Sequence, residues 1–185
     1  MKYLFLFIGL LSAHLSFTQS YESIRTKLEA IELESLELRS MVMPTIREFG
    51  MDSPQMDSLN SRIMRFDSSA LVFVKEVINT HGWLGKREIG AAANRTLFLV
   101  IQHAPDNDIR KTYFPLLEAS VKKGESEKSD MATMKDRILV QDGKPQIYGT
   151  QSHMVNGKLE PFPIEDVKNV NKRRRKVGLG KLKRQ

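Results

Sequence analysis

Residues 138–164, ILVQDGKPQIYGTQSHMVNGKLEPFPI, decide how the chain is read. The residues before them repeat at helical spacing. Here the apolar residues fall into short runs separated by Asp142-Gly143 and Asn156-Gly157. Asp-Gly and Asn-Gly between apolar runs are strong hairpin signals, because both central residues of a type I′ turn need positive φ. The spacing predicts three strands joined by two tight hairpins. On the middle strand Gln146, Tyr148 and Thr150 project to one face, and Ile147, Gly149, Gln151 and His153 to the other. Polar groups facing the body of the protein must be hydrogen-bonded to one another or line a ligand pocket. Gly149 leaves an opening where a ligand or another backbone can come close.

Working outward, residues 22–43 carry Ile24, Leu28, Ile31, Leu38, Met41 and Val42 near helical spacing, up to a break at Pro44. Ser53 and Pro54 provide an N-cap and first position for a second helix, and Gly82 ends it. A loop, GWLGKREIG, leads to a third helix over 88–103 that is apolar on most sides and is expected to be buried. Asp106 or Asn107 caps a fourth helix to about residue 123, with Pro115 kinking or restarting it and Gly124 closing it. Ser129 caps a short fifth helix to about residue 136, and a last helix runs over 165–177 to Gly178. The fold class is α+β: a mainly helical body of five to six helices with a small three-stranded antiparallel meander near the C-terminus.

The first 20 residues, MKYLFLFIGLLSAHLSFTQS, place Lys2 before an apolar run that is short for a membrane span, then small residues. That is the layout of a secretory signal peptide cleaved near residues 18–20, giving an exported protein, periplasmic or secreted. The rest divides into an N-terminal helix and linker (21–50), one α+β domain (51–179) and a basic tail (180–185). No later segment is apolar enough to span. With no cysteine, neither a disulfide nor a thiol-linked lipid anchor can form. The net charge of +7 is concentrated at one end: residues 168–185 hold nine of the 29 Lys and Arg and no acid. The tail could touch an anionic surface weakly. No aromatics are interleaved with it, which argues against nucleic acid.

Three clusters could carry chemistry. Gln102-His103, at the end of the third helix, stands with Asp106 and Asp108, and His103 and Asp106 would share a face if the helix continued, as an acid–base pair would. Asp136-Arg137 stands at the junction of helix and strand. There Asp136 opposes the helix dipole and needs a partner, expected to be an arginine, while Arg137 could reach an anion through its planar fork. The third cluster is Gln146, Tyr148, Thr150 and Gln151. Scattered histidines lack the spacing of a metal motif, no cofactor signature is present, and no nucleophile elbow or phosphate loop is seen.

Taken together, the Gly-Trp-x-Gly loop at Trp83 and Gly85, Gln102-His103-Ala104, Asp136-Arg137, Gly-x-x-Gln-x-Tyr-Gly-Thr-Gln ending at Gln151, and Arg-Arg-x-x-x-Gly-Leu with Arg174 and Gly178 resemble a family of small bacterial proteins. That family is catalogued only as a domain of unknown function. The resemblance covers about residues 55–182 and implies shared signature positions without an activity. Here Pro105 interrupts the His-Ala-Asp that the family usually shows. A mostly polar signature spread over four segments favours a shared site. The expected function is a pocket that binds, and could act on, a polar or anionic small molecule or peptide. The ligand set would be Gln102, Asp136, Arg137, Gln146, Tyr148, Thr150, Gln151 and Arg174, with His103 and Asp106 as acid–base groups. The alternative is a non-enzymatic envelope interaction protein whose polar signature is a structural hydrogen-bond network.

Overall fold

The computed structural model describes residues 3–155 and 158–182, with side chains from Tyr21 onward apart from those of 154 and 158. The chain forms two compact units, Met1–Leu97 and Phe98–Gln185.

The first unit holds α1 (Tyr3–Ser40), α2 (Val42–Phe49), α3 (Pro54–His81) and the start of α4 (Lys86–Gln102). Leu28 and Leu38 on α1, and Met56, Leu59, Ala70, Val74, Val77 and Ile78 on α3, are buried. Their spacing gives each helix one apolar stripe, and the two helices pack together. Arg39 reaches both carboxylate oxygens of Asp67 at 2.9 Å, a bidentate tie between α1 and α3. The break between α1 and α2 comes at Met41, three residues before Pro44. Pro44 has no N–H for the Ser40 carbonyl, and its ring crowds that carbonyl, so the proline is accommodated in the first turn of a new helix. The Ser53 side chain caps α3 by accepting from the Met56 N–H at 3.2 Å, as the Ser-Pro pair predicts.

At the start of α4 the Gly85 N–H donates to Glu88 Oε2 at 2.7 Å, half of a capping box. Gly90 (φ 81°, ψ 164°) interrupts the helical conformation, and the helix resumes after it. The expectation that this helix is buried all round is not met: Ala91, Ala92 and Arg95 are exposed. Asn94 is buried and donates to the Leu84 carbonyl at 2.7 Å, which fixes the Trp83-containing loop.

The second unit holds the end of α4, α5 (Asn107–Lys122), α6 (Lys128–Gln141), β1 (Ser152–Val155), β2 (Lys158–Pro161), a 3-10 turn (Val167–Asn169) and α7 (Val170–Lys176). Asp106 caps α5, which runs on through Pro115 and packs against α6.

The three-stranded meander is not formed. Strands β1 and β2 make a two-stranded antiparallel sheet, in register from Ser152↔Pro161 to Val155↔Lys158. The expected Asn156-Gly157 turn lies outside the described residues. The expected first strand, from Ile138, is instead the last turn of α6. Asp142-Gly143 ends that helix in a Schellman motif: the Lys144 N–H bonds the Leu139 carbonyl at 2.9 Å and the Gly143 N–H bonds the Val140 carbonyl at 3.0 Å. A helix C-terminus and a type I′ turn both want a glycine at positive φ, so the dipeptide serves either. A run as short as Ile-Leu-Val does not separate the two. Residues 146–151 are a loop with one parallel bridge, Gln146 to Ile164, so the two-face reading of a middle strand does not hold.

Gly149 and Gly143 both have φ near 70°, but a Cβ at Gly149 would lie 2.9 Å from Ile164 Cδ1 and 3.2 Å from Leu182 Cδ2, whereas one at Gly143 would meet nothing within 4 Å. The opening expected at Gly149 is thus filled by the chain's own side chains. Gly143→Ala should cost about 1–2 kcal/mol of backbone strain. Gly149→Ala should add about 1–3 kcal/mol of overpacking. Chemical denaturation of the two variants compares them, and equal losses would refute the close approach.

Candidate functional site

The polar signature gathers in the second unit around one carboxylate. Asp136 lies inside α6, one turn before its end, and is fully buried. Its Oδ1 accepts from the Ile147 N–H at 2.7 Å and the Tyr148 N–H at 3.0 Å. Its Oδ2 accepts from the Thr150 N–H at 3.0 Å and the Thr150 hydroxyl at 2.9 Å. The partner expected to be an arginine is therefore a loop of backbone donors. Charge-assisted bonds of this kind are the strong ones, at about 1.5–3 kcal/mol each.

The same loop is held from its carbonyl side by α7. Arg173 Nε donates to the Ile147 carbonyl at 2.8 Å, and its Nη2 donates to the Glu165 carbonyl. Arg174 Nη1 donates to the carbonyls of Tyr148 at 2.7 Å and Gly149 at 3.2 Å. Peptide units between a carboxylate and two guanidiniums are polarised in the direction that strengthens both sets of bonds. Gln146, also fully buried, closes the loop at its base: Nε2 donates to the Gln151 and Phe162 carbonyls at 2.9 Å, and Oε1 accepts from the Gln151 N–H at 2.8 Å. Gln151 Nε2 in turn donates to the Thr150 hydroxyl at 3.0 Å. The chain after α7 returns to this loop: Asn171 Oδ1 accepts from the Leu182 N–H at 2.7 Å, and Leu182 approaches Gly149.

The structure thus brings Asp136, Gln146, Thr150, Gln151 and Arg174 together, all engaged with protein partners. The other sequence-derived residues stand differently. Helix α4 stops at Gln102, so His103 and Asp106 do not share a helical face. His103 is exposed, and the Asp106 carboxylate accepts from the Asp108 N–H at 2.8 Å as the cap of α5. Gln102 is buried, yet its amide Oε1 has no hydrogen-bond partner. Arg137, next to Asp136, has its Nε buried without a partner, and burial pushes its guanidinium pKa down. Tyr148 is half-buried. Burial first, and then the Asp136 charge, raises its phenol pKa, so at neutral pH the hydroxyl keeps its proton and can donate.

Two arginines escaped the sequence reading. Arg173 lay in the signature, but inside a basic run that fits a helix C-terminus without further explanation. Arg110 is 1 % exposed, and nothing in the sequence separates it from a solvent-facing helical arginine. Its Nη1 donates to the Gln102 carbonyl at 3.4 Å and to the Ala104 carbonyl, and its Nε donates to Asn107 Oδ1 at 3.1 Å. Elsewhere, an open cleft of about 600 Å³ runs between α1 and α3 in the first unit, lined by Lys27, Leu38, Arg62, Phe66 and Phe73 among others. It contains none of the sequence-derived site residues. Among the described residues no group of His, Asp and Glu is arranged to hold a metal ion.

Both oxygens of Asp136 face N–H donors, so an amide in its place must turn its NH₂ toward one set of them. Asp136→Asn should therefore cost more than about 3 kcal/mol, the sum of two or more unsatisfied buried groups at about 1–3 kcal/mol each. Urea unfolding of the variant measures this. A loss under 1 kcal/mol would show that the carboxylate is not what organises the loop.

No curated protein and no solved structure matches the chain. The sequence does match one family of unknown function over residues 28–185, a span that contains all of the polar cluster. The chain belongs to that family, DUF6624.

Proposed function

We propose that the second unit binds a polar ligand carrying an anionic group, through the polar side chains that its hydrogen-bond network leaves over. Arg137 carries the reading. It is a half-buried residue whose Nε is buried without a hydrogen-bond partner, beside a network in which the neighbouring groups are satisfied. A buried N–H without a partner lowers stability, and such positions are commonly kept for function. The buried Gln102 amide and the protonated Tyr148 hydroxyl add orienting groups of the same unit. Asp106 serves as the cap of α5 under this reading. Under this reading Asp136, Gln146, Thr150, Gln151 and Arg174 build the frame, and Arg137, Gln102 and Tyr148 meet the ligand.

The alternative, a non-enzymatic interaction protein with a purely structural signature, draws on the closure of the Asp136 network. The two readings diverge at the unpartnered residues. Export is part of the proposal, resting on Lys2 and the apolar run that follows it.

Replacing Arg137 by Met, and Gln102 by Leu, keeps the volume and removes the unpaired polar groups. If these side chains wait for a ligand, each variant should hold its stability or gain about 0.5–2 kcal/mol. At this chain length that is about 2–4 °C in Tm per kcal/mol. A loss above 1 kcal/mol for both in calorimetry would mean that they serve the fold, and the ligand reading would fall.

A further inference from the structure

The open cleft between α1 and α3 lies entirely in the first unit and does not depend on the ligand reading of the second. Its lining runs from Lys27 to Leu38 on α1 and from Arg62 to Phe73 on α3, about three turns of each helix, or about 16 Å. The floor is apolar: Leu38 and Ala70 are buried, and Ile31, Phe66 and Phe73 are half-buried. The charged lining residues are Lys27, Arg62 and Arg65, all exposed, against one acid, Glu34. Lys27 Nζ lies 4.0 Å over the Phe73 ring, whereas Arg62 shares an adjoining depression with Leu38. The cleft thus offers a cation at each end and apolar ground between.

We infer that a second copy of this chain docks here, inserting the outer face of its own α1. That face carries Glu29, Leu33, Leu36 and Glu37, whose spacing of i, i+4, i+7 and i+8 puts them on one side of the helix. Leu33 is 69 % exposed and Leu36 60 %, so two large apolar side chains one turn apart stand in water. Glu22 and Glu29 share Arg25, which leaves the face net negative. The run of acid, leucine, leucine, acid spans about 12 Å, which fits between the two cationic ends of the cleft. The face lies about 140° round α1 from Lys27, Ile31 and Glu34, so a chain cannot turn these leucines into its own cleft. Another copy's leucines can enter it, anchored on the apolar floor, with the charges fixing the register. Each copy gives one face and receives another, which a two-fold pair satisfies. A single-headed amphiphile such as a fatty acid fits less well. It carries charge at one end only, and in an open cleft the outer side of its tail would stay in water.

The test is sedimentation of the full chain at increasing concentration. The wild type should form a dimer whose dissociation constant rises at least fivefold between about 50 and about 500 mM salt, over which the screening length falls about threefold. Arg62→Glu with Arg65→Glu should make the chain monomeric, and so should Glu29→Arg with Glu37→Arg. Mixed together, these two charge-reversed variants should pair again, within about threefold of the wild-type affinity. An unfolded variant would not be rescued in this way. Leu33→Ser with Leu36→Ser should also be monomeric. A wild type that is monomeric at every concentration would overturn the inference. So would a dimer that persists in all three variants, which would trace to another surface or to the apolar run near the N-terminus. Charge-reversed variants that stay monomeric when mixed would overturn the pairing of face and cleft. Uptake of palmitate by a monomeric wild type, lost in Arg62→Glu with Arg65→Glu, would assign the cleft to an anionic amphiphile instead.

Discussion

The second unit depends on one buried carboxylate. No cation pairs with Asp136 among the described residues, and backbone N–H groups of Ile147, Tyr148 and Thr150 fill its two oxygens. A loop with a single backbone bridge has little reason to hold one conformation, since each ordered residue costs about 1–2 kcal/mol of backbone entropy. Here side chains replace the missing ladder. Asp136 takes the donors, Arg173 and Arg174 take the acceptors, and Gln146 pairs with the backbone of Gln151 as a neighbouring strand would. This explains why GKPQIYGTQ is polar without being a sheet: its polar residues do the work that inter-strand hydrogen bonds do elsewhere.

That division sorts the signature by role. Residues whose polar atoms are all engaged hold the frame. Those left with open donors or acceptors, Arg137 and Gln102 foremost, are the groups that the proposed ligand would meet. Adjacent residues in sequence fall on opposite sides of this line: Asp136 faces the loop and is satisfied, while Arg137, 100° further round α6, is not. The frame also fixes the C-terminal chain, because Asn171 pairs with the backbone of Leu182 and Leu182 covers Gly149.

Much of the helical body was legible in the sequence, because caps and stripes are local. Ser53-Pro54, Asp106 and Gly178 mark ends that the structure keeps. The meander was misread because Asp142-Gly143 carries the chemistry of a helix terminus and of a hairpin alike. Once α6 runs on to Gln141, Asp136 is no longer at a helix end and the dipole argument for an arginine partner lapses. The polar cluster itself was legible as a set of residues, but not the pairing within it. Backbone donors leave no mark in a sequence, so nothing announced that residues 147–150 would be the partner of Asp136. Arg110 was illegible for a similar reason: its burial follows from how α5 meets α6, not from its neighbours in the chain.

The most direct test of the clamp is amide hydrogen exchange at Ile147, Tyr148 and Thr150, followed by NMR. The account predicts protection of these loop amides comparable to that of the α6 interior, lost together when Asp136 is replaced by Ala. Exchange within minutes in the wild-type protein, as expected of an ordinary exposed loop, would contradict it.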